Sequence, residues 1–187
     1  KGASSKQSAS ISGAVTNDPY GAGSPTKCDR DCDDAAPAVQ SLSSNVGNVT
    51  IKGESTQHTS VTGGAVGNLA LGAGAVAIQS LATNIGKVAI DGKSHQAVDL
   101  YKTTVTNFAN GQDTTAVQNL ASNYDGVKIM KGGHSDQTVT GNGGTISNEA
   151  TGRYAQAFQN LSSNFGDVTI SGYSSQFTHV NGTVMNK

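Results

Sequence analysis

Tryptophan is absent and aromatic residues make up 5% of the chain, which excludes a core built on large rings. Charge is equally sparse. Only 13% of residues are Asp, Glu, Lys or Arg, and a formal net charge of −1 leaves no footprint for nucleic acid or for an anionic membrane surface. No apolar run approaches the ~20 residues that a membrane-spanning helix requires. No signal peptide is visible, and with Lys1 in first place the chain reads as a processed form. Cysteine is limited to Cys28 and Cys32. Such a pair is compatible with a small disulfide loop formed on export through an oxidising compartment, without requiring one.

What fills the chain instead is glycine, 24 of 187 residues, together with Ser, Thr, Asn and Gln. Chains of this composition are disordered when they bury too little apolar area to offset ordering entropy. The alternative is an ordered repeat, in which polar side chains ladder against copies of themselves.

The pattern decides for the repeat. Four segments align: AVQSLSSNVGNVTIKGESTQ from Ala38, AIQSLATNIGKVAIDGKSHQ from Ala77, AVQNLASNYDGVKIMKGGHSDQ from Ala116 and AFQNLSSNFGDVTISGYSSQ from Ala157. Gln40, Gln79, Gln118 and Gln159 mark spacings of 39, 39 and 41 residues. Fixed offsets that include polar residues are the mark of a stacked repeat architecture. The second half of each unit alternates. Val49, Ile51, Ser55, Gln57 and Val61 share one parity, and Val88, Ile90, Ser94, Gln96 and Leu100 repeat it. In the third unit an insertion precedes Ser135 and Gln137; because it is two residues long, the inward face is kept. Ser174 and Gln176 complete the set.

A recurring inward Gln is expensive unless hydrogen-bonded. At the ~4.8 Å strand spacing, each amide can donate to its neighbour on one side and accept from the other. The expected fold is therefore all-β, a β-solenoid of four to five stacked coils built from ~39-residue repeats. Its polar ladder and assembly residues are Ser55, Gln57, Ser94, Gln96, Ser135, Gln137, Ser174 and Gln176. Gln40, Gln79, Gln118 and Gln159, and the corner residues Asn45, Asn84, Asn123 and Asn164, join them. In the first half of the unit, apolar residues at i, i+3 and i+7 (Val39, Leu42, Val46) also suit a short helix ended by Gly47. The Ser, Thr and Asn residues that follow disfavour a helix interior. Strand, corner, strand is the preferred reading, with the linkers 62–76, 101–115 and 140–155 each supplying a further strand. Val46, Ile85, Tyr124 and Phe165 would stack as an apolar stripe sealing the core against those linkers; the alternative is a lateral contact between protofilaments.

Residues 1–37 form an N-terminal half-repeat and a Cys-containing linker; residues 38–187 form the four-repeat solenoid. Ser5, Gln7 and Ile11 match Ser55, Gln57 and Val61. Both ends resemble the middle in composition, which leads to the expectation that open ends of neighbouring subunits pair head to tail into a homopolymer.

The spacing Q-x-L-x-x-N-x-G at Gln40, Leu42, Asn45 and Gly47 resembles part of the curli subunit repeat, with Leu and Gly in place of its Gly and Ala. The stretch Gly47-Asn48-Val49-Thr50-Ile51 is similar to the core of Fap-type fibre subunits. The chain departs from the first in its longer repeat and from the second in its N-terminal cysteine pair. The resemblance implies a secreted functional amyloid of the extracellular matrix, dependent on export machinery and on partners of its own kind. A module of a secreted β-helical adhesin that binds a surface or glycan is the alternative.

No pattern points to a cofactor or to catalysis. His58, His95, His134 and His179 sit at +3, +1, −1 and +5 from the repeat Ser, so they share no column and are expected on the surface rather than around zinc. The run Cys28-Asp29-Arg30-Asp31-Cys32-Asp33-Asp34 alternates only partly and contains no glycine, which suits a solvated loop better than a calcium loop. Carboxylates elsewhere fall at unrelated offsets, without the facing pair a glycosidase needs. A non-enzymatic role is the expectation.

Overall fold

The structure, a computed structural model, describes residues 4–18 and 37–187; Cys28, Cys32 and the acidic run around them lie outside the described residues. The described chain is all-β and winds as a β-solenoid, every strand pairing in parallel with its counterpart one repeat away. The second coil illustrates the plan. It runs through Val76–Leu81, Asn84–Ile85, Val88–Ile90 and the long strand Lys93–Asn110, the last of which spans both the S-x-Q segment and the linker. Stacking the coils gives three 4-stranded sheets and one 7-stranded sheet. The first half of the unit is thus strand, corner and strand, and the linkers do supply strand: Ala65–Leu71 in the first coil and the distal part of Lys93–Asn110 in the second.

Pairing follows the sequence alignment. Gln57, Gln96 and Gln137 are successive partners in the long sheet, as are Ser55, Ser94 and Ser135, so the even insertion in the third repeat leaves the inward face unchanged. The half-repeat Ser4–Ile11 stacks on Glu54–Thr62 with Gln7 opposite Gln57 and Ile11 opposite Val61, and Ala14–Asn17 stacks on Ala65–Leu71.

Corners are made by backbone in the left-handed region. Ser43, Ala82, Ala121 and Ser162, each directly after the repeat Leu, have φ of 50, 50, 46 and 47°. No glycine is used there. The side-chain hydroxyl of the next residue ties the corner: the single Thr83 Oγ1 hydrogen is shared between Leu81 O at 3.1 Å and Asn119 O of the next coil at 3.2 Å. The second corner is the glycine position, with Gly47, Gly86 and Gly166 at φ 107, 105 and 101°. A Cβ on Gly86 would lie 2.3 Å from the carbonyl oxygen of Gly47, so close stacking as well as φ demands glycine. In the third coil Asp125 takes this place at φ 70°, a conformation that Asp tolerates better than most residues.

Between the corners three apolar clusters fill the interior. One joins Val61, Val98, Leu100, Leu81, Leu120 and Ile146; a second is a column of alanines including Ala77 and Ala116; a third stacks Ile51, Ile90 and Ile129 beside the column of Val88 and Val127. The small alanines bring the first strand and the end of the long strand close together. The Val46, Ile85, Tyr124, Phe165 column does not seal this core. It lies on the outer side of the corner, where Val46 is 65% exposed and Tyr124 stacks on Phe165 with ring centroids 5.4 Å apart. The reason is parity: the adjacent Asn points inward, which turns the apolar neighbour out.

Candidate functional site: the amide ladders and the coil edge

Three columns of amides run along the solenoid axis. In the corner column, Asn45 Nδ2 donates to Asn84 Oδ1 at 2.8 Å, Asn84 to Asn123 at 2.8 Å and Asn123 to Asn164 at 2.7 Å. In the first-strand column the donation runs the other way: Gln79 Nε2 to Gln40 Oε1 at 2.9 Å, Gln118 to Gln79 at 2.8 Å and Gln159 to Gln118 at 2.7 Å. These two columns are the ladders expected from the repeat, and their central members are fully buried.

The third column was not anticipated. Asn17, Asn68, Asn107, Asn148 and Asn186 link in series, each Nδ2 donating to the next Oδ1 at 2.8 Å. Asn107 Nδ2 also reaches Ala77 O at 3.1 Å and Val117 O at 3.0 Å, so it clamps the end of the long strand to the first strand of its own coil and the next. The signal was present in the linkers, where Asn68, Asn107 and Asn148 recur at the repeat spacing of 39 and 41 residues. Low identity around them hid it.

The S-x-Q glutamines behave differently from the expected ladder. Gln57, Gln96 and Gln137 stack in register, but their amides do not bond to one another. Each donates to the corner Asn of the following coil: Gln57 Nε2 to Asn84 Oδ1 at 2.8 Å, Gln96 to Asn123 at 3.0 Å and Gln137 to Asn164 at 2.7 Å. An amide oxygen has two acceptor sites. The corner Asn uses one for its stacking neighbour and offers the second to the Gln, which leaves Oε1 of Gln57, Gln96 and Gln137 buried without a partner. The repeat Ser completes the hub. Asn84 Nδ2 donates to Ser94 Oγ at 3.2 Å, Asn123 to Ser135 at 3.0 Å and Asn164 to Ser174 at 3.0 Å, with Asn45 to Ser55 longer at 3.5 Å.

The coil formed by Gln156–Leu161, Asn164–Phe165, Val168–Ile170 and Tyr173–Asn186 presents these columns on an open edge. Ile170 is 49% exposed, whereas its register partners Ile129 and Ile90 are fully buried. Gln176 is exposed where Gln137 and Gln96 are buried, and Val184 is exposed where its partner Ile146 is buried. The histidines lie on the outer faces as expected: His95, His134 and His179 are exposed and His58 is half-buried, with Nε2 2.8 Å from Asp99 Oδ2.

Comparison with models of protein families, with curated proteins and with solved structures finds no match to this chain.

Proposed function

We propose that this chain is a self-assembling fibre subunit, whose coils stack across neighbouring copies as they stack within one copy. The observation that carries the proposal is that each coil–coil interface is built of the same residues paired with themselves in register: Gln on Gln, Asn on Asn, Ile on Ile. One coil face is therefore complementary to any other. Parallel pairing requires that copies add head to tail, a heterologous contact that does not close. An exposed sheet edge bearing inward apolar and amide columns is a template for such addition. Each Ile- or Val-sized side chain buried at the joint contributes roughly 1.5–3 kcal/mol. Several such columns together are needed to exceed the association cost of about 4–15 kcal/mol.

In this reading the protein is a secreted, extracellular structural element of an amyloid-like matrix or adhesive filament, with export machinery as its other partner. Support comes from the sparsely charged, hydroxyl- and amide-rich composition, and from the apolar column at Val46, Ile85, Tyr124 and Phe165, which offers a lateral surface to a second filament.

Edge substitutions test the proposal. Gln176→Lys and Ile170→Asp alter side chains that are exposed in the single chain, so both variants fold with an unchanged far-UV spectrum. In a joint each places a charge inside the ladder core. By light scattering and negative-stain microscopy, the unsubstituted chain forms filaments as concentration rises and both variants stay small. Equal filament yield from the variants, or a monodisperse unsubstituted chain at high concentration, contradicts the proposal.

A further inference from the structure

The outer face of the long sheet carries a groove of about 380 Å³ that the amide ladders do not explain. Two register columns flank it. One runs Ser60, Asp99, Thr140, His179; the other, two residues further along each strand, runs Thr62, Tyr101, Asn142, Asn181. Beside the groove the strands turn through left-handed residues, Gly63, Lys102 and Gly143 at φ 64, 48 and 72°, and the register between Asn142 and Thr145 is irregular. Irregularities of this kind re-aim side chains and accompany binding sites.

The lining is mixed, with Leu100, Gly141 and the Tyr101 ring among polar side chains, and several of the polar side chains are free of partners among the described residues. Asp99 is the exception: its carboxylate accepts from Thr140 Oγ1 and faces His58 Nε2, and these contacts fix its orientation. The side chains of Ser60, Thr62, Asn142 and Asn181 make no hydrogen bond within the described residues, although Asn142 and Asn181 stand in register like the interior asparagines that do. Tyr101 is 46% exposed, with Lys102 Nζ 5.3 Å from its ring centroid.

We propose that this groove binds a neutral, β-linked glycan chain lying along the solenoid axis. A lipid or an amphipathic helix needs a continuous apolar floor, whereas here Leu100, Gly141 and the Tyr101 ring stand among hydroxyl, amide and carboxylate side chains. A polyanion needs clustered Lys and Arg; here Asp99 stands in the middle with Lys102 as the nearby cation. What remains is a polyol. Its hydroxyls pair with amides and an oriented carboxylate, and its ring faces pack on tyrosine. The stacking also suits an extended β-linked pyranose chain, which advances by about one strand spacing per ring, so that successive rings meet successive coils ~4.8 Å apart. The groove opens on the outer sheet face; His179 and Asn181 belong to the edge coil, whereas Tyr101 and Asn142 lie in interior coils, so substitutions at those two leave the filament edge intact.

Isothermal titration of the full chain with cellohexaose, xylohexaose and chitohexaose tests the proposal, with polygalacturonate as the anionic comparison. The expected result is saturable binding of at least one neutral hexaose. Tyr101→Ala and Asn142→Ala should each weaken it by about tenfold or more, with melting temperature and filament yield unchanged. His95→Ala, on the same face outside the groove, should bind as the unsubstituted chain does. Absence of saturable binding by all three neutral hexaoses, binding of the polyanion alone, or undiminished binding by Tyr101→Ala overturns it.

Discussion

Asn84 makes four hydrogen bonds through one buried amide: it accepts from Asn45 and Gln57 and donates to Asn123 and Ser94. Gln96 has a similar size and burial, yet its Oε1 has no partner and its Nε2 reaches groups that other donors already serve. The two amides are thus unequal. Replacing Asn84 with Leu strands several buried polar groups and is expected to cost about 3–5 kcal/mol. Gln96→Leu removes two donated bonds, to acceptors that keep other donors, together with one orphaned oxygen, and is expected to cost about 1 kcal/mol. Urea unfolding of the two variants measures the difference; equal costs would contradict the hub. That Gln96 faces inward was legible from parity, whereas Asn84 was readable only as a recurring corner residue. Which of them ladders was not, because Gln and Asn offer the same groups, and only the relative position of corner and strand decides whose oxygen receives two donors.

At the scale of the element, the corners carry the backbone strain. Asp125 occupies the left-handed site that three other coils fill with Gly47, Gly86 and Gly166. Asp125→Gly is expected to raise stability by about 0.5–1 kcal/mol. Gly86→Ala should have the opposite sign and larger size, about 3 kcal/mol or more, since its Cβ meets backbone and not a side chain that can move away. Thermal unfolding checks both signs, and a destabilising Asp125→Gly contradicts the strain. Glycine spacing made this corner readable in the sequence. The other corner was less so, because Ser43, Ala82, Ala121 and Ser162 turn left-handed without glycine, the first three held by the stacked hydroxyls of Ser44, Thr83 and Ser122 that follow. The linker strands were the faintest elements. Each contributes one inward β-branched residue (Val66, Val105, Ile146), and its other inward positions are Asn and Ala, a weaker alternation than that of Val88–Ile90.

For the whole molecule, the register of the repeat segments follows from aligning them, because stacking in step is what pairs their buried amides; the linker strands, with their shift between Asn142 and Thr145, are the exception. Stability should then grow by coils. Duplicating residues 77–115 in place adds one coil with the same ladders, and both the urea midpoint and the m-value are expected to rise; an unchanged m-value would mean that the added coil does not stack. The same logic, carried beyond one chain, is the basis of the proposed fibre. The interior required of a filament joint already exists between Gln79 and Gln118, Asn84 and Asn123, and Ile90 and Ile129. The most direct test is fibre diffraction on aligned filaments of the purified chain. Coil stacking across copies predicts a meridional reflection at ~4.8 Å, strand spacing running along the filament axis. Filaments in which that spacing lies on the equator, or a chain that yields no filaments to align, would contradict it.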